Sequence, residues 1–224
     1  GVQTCALPIL RDAGIDVARD VLVTPAVPRA EARARIEDEL GLPVFVKPAR
    51  LGSSVGISRV DAAADLDAAL DLALAHDDKV LVEELLAGKE VECSVLGLPP
   101  ALETSPVGEI TYDAEWYDYE AKYADGGSAL VVPARIPDEA AAQVRAIAAR
   151  AFAVCDCHGM ARIDFFHTNA GRLVLNEINA IPGFTATSYY ARMFEASGLA
   201  YGDLLTRLVD LALERHARNA ALRR

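Results

Sequence analysis

Cysteine, methionine and tryptophan are scarce in this sequence: four, two and one among 224 residues. Four cysteines are too few for a disulfide-dense secreted scaffold. Cys155 and Cys157, in the run Cys155-Asp156-Cys157-His158, are too closely spaced for the usual zinc pair, and no second Cys/His pair follows. Cys5, Cys93, Cys155 and Cys157 are therefore expected to be reduced structural thiols. Long apolar runs are also missing. The richest stretch, 140–154, is broken by Arg145 and Arg150 and falls short of the roughly 20 apolar residues a bilayer span needs. Basic residues are in deficit, 22 Lys and Arg against 33 Asp and Glu, for a net charge of −11. Such a surface repels nucleic acid and anionic membrane, so neither is an expected partner. No signal-peptide pattern is visible, which makes the cytoplasm the expected compartment. What is present, 52% hydrophobic and 25% charged residues, belongs to a globular chain of one large or two small domains.

Periodicity and turn residues divide the chain into short alternating elements. Helices are predicted over 29–40, with Pro28 before and Gly41 after, and over 61–76, with Leu66, Leu70, Ala73 and Leu74 on one face. Further helices are predicted over 138–154 and from Ser197 onward. Strands are predicted at 44–47, at 80–86 and 91–96 joined by an Ala87-Gly88 turn, and at 160–167 and 172–179 around Thr168-Asn169-Ala170-Gly171. The segment 104–127 has the length of a functional loop. Strands that come in hairpins favour an α+β fold with antiparallel sheets.

The last hairpin carries the chemistry. With a two-residue loop at Ala170-Gly171, Phe166 faces Leu175, Asp164 faces Glu177 and Arg162 faces Asn179, all on one face of the ribbon. Ala161, Ile163, Phe165, Val174 and Ile178 form the opposite, apolar face, where Asn176 is the one polar exception. Two carboxylates about 4 Å apart at an effective dielectric near 20 repel by roughly 4 kcal/mol. A shared proton, a salt bridge to Arg162 or a divalent cation would offset this. Two carboxylates and an amide oxygen are hard ligands that suit Mg2+; the alternative is a polar strand face in which Arg162 pairs with Asp164. A second feature is the stretch Lys47 to Gly56, KPARLGSSVG, after a short strand. Its glycines and serines let backbone N–H groups turn toward an anion, and Lys47 supplies a point charge. It matches neither the Walker A nor the dinucleotide spacing, so a surface loop is the other reading. Together, a basic Gly/Ser loop and an acidic divalent site are what nucleoside triphosphate binding requires.

Four segments in this order resemble the ATP-grasp superfamily and, within it, the D-alanine–D-alanine ligases: FVKPARLGSSVG (45–56), VLVEELLAGKE (80–90), YDYEAKY (117–123), and ARIDFF with LNEINAIPGFTATS (161–166 and 175–188). The resemblance implies two α+β subdomains, 10–90 and 91–224, that clasp ATP between antiparallel sheets. It implies an ATP-dependent joining of two D-alanines through an acyl phosphate, for peptidoglycan precursor synthesis. Lys47, with Ser53 and Ser54, would contact the phosphates. Glu83, Glu84 and Leu86 would line the adenine site, and Glu90 would accept the ribose hydroxyls. Lys122 would reach phosphate or substrate carboxylate, and Tyr123 would favour D-alanine as acceptor. Asp164, Glu177 and Asn179 would hold two Mg2+ ions, with Mn2+ as a substitute. Arg162 and the Gly183 backbone N–H would stabilise the reacting oxygens, with Ser53, Lys122 and Tyr123 also catalytic, and Ser188 would bind the second D-alanine. ATP and D-alanine are the implied partners, and a homodimer the common assembly of the family.

The chain departs from the family pattern at its start. Residues 1–9 do not match the family's lysine-containing opening of the central domain, and are expected to be a non-native leader. A preceding domain of roughly a hundred residues, which would hold the first D-alanine, is expected to be missing. Two further readings therefore stand beside the first: another ATP-grasp carboxylate–amine ligase, and a nucleotide-binding fragment without catalysis.

Overall fold

The computed structural model describes residues 3–52, 54–112 and 128–222. The chain divides into two compact units, one built mainly of Val17–Ala87 and the other of Ile9–Asp16, Gly88–Thr111 and Leu130–Arg224.

The first unit is a four-stranded sheet in the order β1-β4-β2-β3, all neighbours antiparallel where the register is defined. Its strands are β1 (Asp20–Val23), β2 (Val44–Pro48), β3 (Ser58–Val60) and β4 (Val80–Glu84). Alternation decides its two faces. Val21, Val23, Val44, Val46, Val80 and Val82 are buried on one face, and helices α2 (Arg29–Glu39) and α3 (Leu66–His76) add Ile36, Leu66 and Leu70 to the same core. The other face is left with Phe45, Lys47, Leu81 and Glu83. Helix α2 stops where Gly41 takes φ +72° and its N–H reaches back to the Ile36 carbonyl at 3.1 Å, a conformation that suits glycine. The predicted helix 61–76 is α only from Leu66, with a 3-10 turn over Ala63–Asp65 before it.

The second unit is a six-stranded sheet in the order β10-β9-β5-β7-β8, with β6 paired beside β5. Its strands are β5 (Gly88–Leu98), β6 (Ala101–Thr104), β7 (Gly108–Tyr112), β8 (Ser128–Val131), β9 (Gly159–Thr168) and β10 (Leu173–Asn179). Helix α4 (Asp138–Val154) packs against β5, β6 and β9 through Val144, Ala148, Ala151 and Phe152. Helices α5 (Tyr189–Glu195) and α6 (Tyr201–Ala220) pack at Leu96 and Met160, with Tyr190, Phe194 and Leu204 buried there.

Several expectations change. The Ala87-Gly88 turn does not make a hairpin: β4 and β5 belong to different sheets, and β5 pairs instead with β6, β7 and β9. Strands β1, β3, β6, β7 and β8 have no counterpart among the predicted strands, and β7 lies inside the stretch 104–127 expected to be a loop. Gln3–Asp12 forms helix α1, for which no element was predicted, with Ala6, Leu7 and Leu10 buried. Among the described side chains Cys93, Cys155 and Cys157 are free thiols, and burial pushes Cys93 up to about 12 and Cys157 up to about 11, so neither of these two is a ready nucleophile. No helix among the described residues is long and apolar enough to cross a membrane.

Candidate functional site

In the first unit, the sheet face opposite the valine core brings Lys47 and Glu83 together. They are diagonal neighbours on adjacent strands, since Phe45 is opposite Glu83 and Lys47 opposite Leu81. Their side chains form an ion pair in which Glu83 is 6% exposed. The Lys47 ammonium also sits 5.9 Å from the Phe45 ring centroid. Lys47 is thus held at the end of β2, where the Gly/Ser segment begins. That segment turns tightly: Ser54 and Gly56 have φ of 59° and 71°, and the Val55 and Ile57 N–H groups donate to the Gly52 and Ser54 carbonyls at 3.3 Å. The left-handed φ of Gly56 favours glycine, and a Cβ there would also lie 2.7 Å from the His76 ring. Arg50 anchors the base of the loop, with its N–H 2.8 Å from the Asp77 carboxylate. Glu84 is engaged by Arg19, whose Nε donates at 2.9 Å and backbone N–H at 3.1 Å. Leu86 follows β4, partly exposed.

In the second unit, the hairpin of β9 and β10 gathers Arg162, Asp164, Glu177 and Asn179. Asp164 is opposite Glu177 and Arg162 opposite Asn179, as the sequence predicts. Phe166, however, faces Val174 and not Leu175. Two irregularities cancel to give this result. Thr168 and Arg172 close the turn, so the loop holds three residues, with Gly171 at φ +81°. A bulge between Leu175 and Glu177 then shifts the register back by one. Asn176 is the extra residue, and ahead of it the faces are exchanged: Leu175, not Val174, shares the apolar face with Phe165, Ile163 and Ile178.

The Arg162 guanidinium grips Asp164 with a two-pronged contact, Nε to Oδ1 at 2.8 Å and a terminal nitrogen to Oδ2 at 2.7 Å. The Asn179 amide donates to Asp164 at 2.9 Å and to Glu177 at 3.1 Å. Burial first, and Asp164 second, push the Glu177 carboxyl above its ordinary value. The sequence reading missed Glu92, which lies opposite Asp164 on the other side of β9. It is 7% exposed, and its Oε2 lies 3.2 Å from Arg162 Nε. Burial and the nearby Asp164 raise the Glu92 carboxyl well above its ordinary value. Burial disfavours the Arg162 charge, but Asp164, Glu92 and Glu177 outweigh it and hold the guanidinium charged. Alternation gave one clue, because Glu90 and Glu92 share a strand face; the pairing of β5 with β9, some seventy residues away, is what brings Glu92 to the site. Glu90 sits opposite Phe166, on the same face as Glu92 and Asp164.

Beyond β10, Gly183 and Ser188 are neighbours: a Cβ on Gly183 would be 3.5 Å from Ser188 Oγ. Ser188 Oγ accepts the Thr185 N–H at 2.9 Å and lies 2.9 Å from the Thr185 hydroxyl. Ser53, Lys122 and Tyr123 lie outside the described residues. Among the described residues, no group of three or more His, Cys, Asp and Glu is arranged to hold a metal ion. The candidate cation set is two carboxylates and an amide, and its chemistry fits a hard divalent ion: the acids face each other across the ribbon, and Arg162 with the neutral Asn179 amide offsets their charge only in part.

A family profile described as D-ala D-ala ligase C-terminus matches residues 9–210. The D-alanine--D-alanine ligase of Deinococcus radiodurans is 51% identical over 203 residues, covering 88% of this chain and 58% of that protein. D-alanine--D-alanine ligase A of Salmonella typhi is 47% identical over 216 residues, 96% of this chain and 59% of the relative. Among solved structures, the VanG D-Ala:D-Ser ligase from Enterococcus faecalis superposes with a TM-score of 0.85 at 39% identity, covering 93% of this chain and 60% of that one. The D-alanine-D-alanine ligase from Coxiella burnetii gives 0.85 at 33% identity, covering 97% and 58%. The chain thus spans about three fifths of the length of these relatives.

Proposed function

Because the chain belongs to the D-alanine–D-alanine ligase family, with the ATP-grasp fold of its structural neighbours, we propose that its residues bind ATP and carry out acyl transfer between two D-alanines. The observation that carries this reading is the Arg162, Asp164, Glu177 and Asn179 cluster, in register on one face of a bulged hairpin. In the first step the carboxylate of one D-alanine attacks the γ-phosphorus of ATP, forming an acyl phosphate and releasing ADP. In the second, the amine of another D-alanine attacks the acyl carbon, phosphate leaves, and the amine proton is lost to solvent or a nearby base. The dipeptide feeds peptidoglycan synthesis.

The reaction moves negative charge between oxygens, so its main demands are positioning and charge stabilisation. Lys47, with Ser53, Ser54 and Lys122, orients the phosphates. Glu83, Glu84 and Leu86 line the adenine site, and Glu90 accepts the ribose hydroxyls. Arg162 and the Gly183 N–H stabilise the oxygen that becomes negative as the acyl carbon is attacked. Ser188, its hydroxyl oriented by Thr185, receives the acceptor's carboxylate, and Tyr123 favours D-alanine as the acceptor. Asp164, Glu177 and Asn179 would hold Mg2+, which when bound neutralises phosphate charge.

The test is incubation with ATP, Mg2+ and isotopically labelled D-alanine, followed by mass spectrometry. The reading predicts ADP and D-alanyl-D-alanine in equal amounts. A second reading is favoured by the similarity to a D-Ala:D-Ser ligase: a mixed product, with D-serine as the preferred acceptor in competition, would support it. Failure to bind ATP at all would overturn both.

A further inference from the structure

We propose that Glu92 is a positioning residue that keeps Arg162 in place once Asp164 is engaged by a divalent cation; the inference rests on the reading of Asp164 as a cation ligand. In the structure Arg162 spends its fork on Asp164, Nε on one oxygen and a terminal nitrogen on the other, at 2.8 and 2.7 Å. A cation held by Asp164 would compete with the guanidinium for that carboxylate. A guanidinium that lost it would be left largely shielded from water and short of acceptors, a costly state. Glu92 supplies the alternative. Its Oε2 lies 3.2 Å from Arg162 Nε, close enough for an ion pair. Yet the Nε–H points to Asp164, and Glu92 Oε2 is buried without a hydrogen-bond partner among the described residues. Buried carboxylate oxygens are seldom left so. An acceptor at this distance, unused while Asp164 holds the donor, is an acceptor in waiting.

The register makes the exchange a short one. Glu92 is opposite Asp164 and Ser94 opposite Arg162, so Arg162, Asp164 and Glu92 share one face of adjacent strands. The guanidinium passes from one carboxylate to the other by turning about its own side chain, while both strands stay in place. Arg162 then stays beside the reacting oxygens, and Asp164 is freed for the cation. Glu92 touches no reacting atom in this scheme; it acts through Arg162.

The test is a double-mutant cycle read as Mn2+ affinity, measured by electron paramagnetic resonance at saturating ADP. Glu92→Gln keeps the volume but offers only a neutral acceptor, so Arg162 keeps its claim on Asp164. Mn2+ binding is then expected to weaken roughly ten-fold, within the range set by a hydrogen bond to a charged group. In an Arg162→Met background the competitor is gone, and Glu92→Gln should leave Mn2+ affinity unchanged. Equal losses in both backgrounds would overturn the proposal, because Glu92 would then act only as a distant negative charge. No loss in either would overturn it too. If Glu92→Gln does not fold, the unaltered protein decides: the Arg162 Nε–H signal in 15N NMR should stay slow to exchange with water after Mg2+ and ADP are added, and its loss to fast exchange would refute the scheme. Asp164→Asn separates the two levels. Undiminished Mn2+ binding in that variant would remove the cation reading itself, whatever Glu92 does.

Discussion

Replacing Gly88 with alanine puts the smallest possible side chain where β5 meets β9. Gly88 pairs with Thr168, and a Cβ there would lie 2.3 Å from the His167 carbonyl oxygen, 2.6 Å from the Thr168 Cα and 2.9 Å from the His167 carbonyl carbon. Comfortable contacts between such atoms start near 3.5 Å, so the methyl overlaps its neighbours by about 1 Å. All three neighbours are main-chain atoms in a paired strand. They cannot swing aside as the end of a side chain does. Relief requires β5 to lift from β9 at its first residues, which moves Glu90 and loosens the ladder that sets Glu92 against Asp164. Overpacking usually costs 1–3 kcal/mol, and a clash against backbone belongs at the top, about 3 kcal/mol. That corresponds to a fall in melting temperature of roughly 10 °C. Urea denaturation followed by circular dichroism measures it. Gly171→Ala is the control: its φ is +81°, but nothing lies within 4 Å of its Cβ, so it pays only the left-handed backbone cost of about 1 kcal/mol. Gly88→Ala no worse than Gly171→Ala would refute the reasoning.

Other outcomes follow from the charge arrangement. Burial alone would raise the Glu109 carboxyl, but hydrogen bonds from Arg135 and the nearby Lys89 bring it below its ordinary 4.5. Its stabilising contribution is therefore present above the unfolded value and lost as pH falls through the folded one; Glu109→Gln should flatten the acid limb of a stability–pH curve below about pH 4.5. Glu177 is shifted the other way, so its ionisation opposes folding as pH rises past the ordinary value of 4.5. Glu177→Gln should then stabilise the cation-free protein at pH 7 by up to about 1 kcal/mol while weakening cation binding, seen by thermal melts with and without Mg2+. Lys47→Met leaves the buried Glu83 unpaired and should cost about 3 kcal/mol in urea denaturation, whereas Lys47→Met with Glu83→Met should recover most of it.

The parts legible from sequence are those governed by local rules. Helix α2 with its terminal Gly41, the apolar face of α3 and the Asp164–Glu177 pairing all follow from spacing within one element or one hairpin. The hairpin register came out right at its acidic end for an incomplete reason, since a longer loop and a bulge at Asn176 offset each other. Long-range pairing was not legible. Nothing near Gly88 says that β5 leaves β4 and runs beside β9, and so Glu92 passed as an ordinary strand residue. The resemblance assigns Lys47 and Glu83 separately to phosphate and adenine; only the β2–β4 register shows that they are diagonal neighbours whose side chains pair. The same lesson applies to Thr185, whose role in orienting Ser188 depends on a turn that composition does not specify.

The central claim is that the acidic hairpin couples a divalent cation to nucleotide. Calorimetric titration of ADP with and without Mg2+, in the unaltered protein and in Asp164→Asn, tests it most directly. The account predicts that Mg2+ tightens ADP binding in the unaltered protein and that Asp164→Asn removes most of that gain, while the weaker Mg2+-free binding persists in both. An equal response to Mg2+ in the two proteins would contradict it.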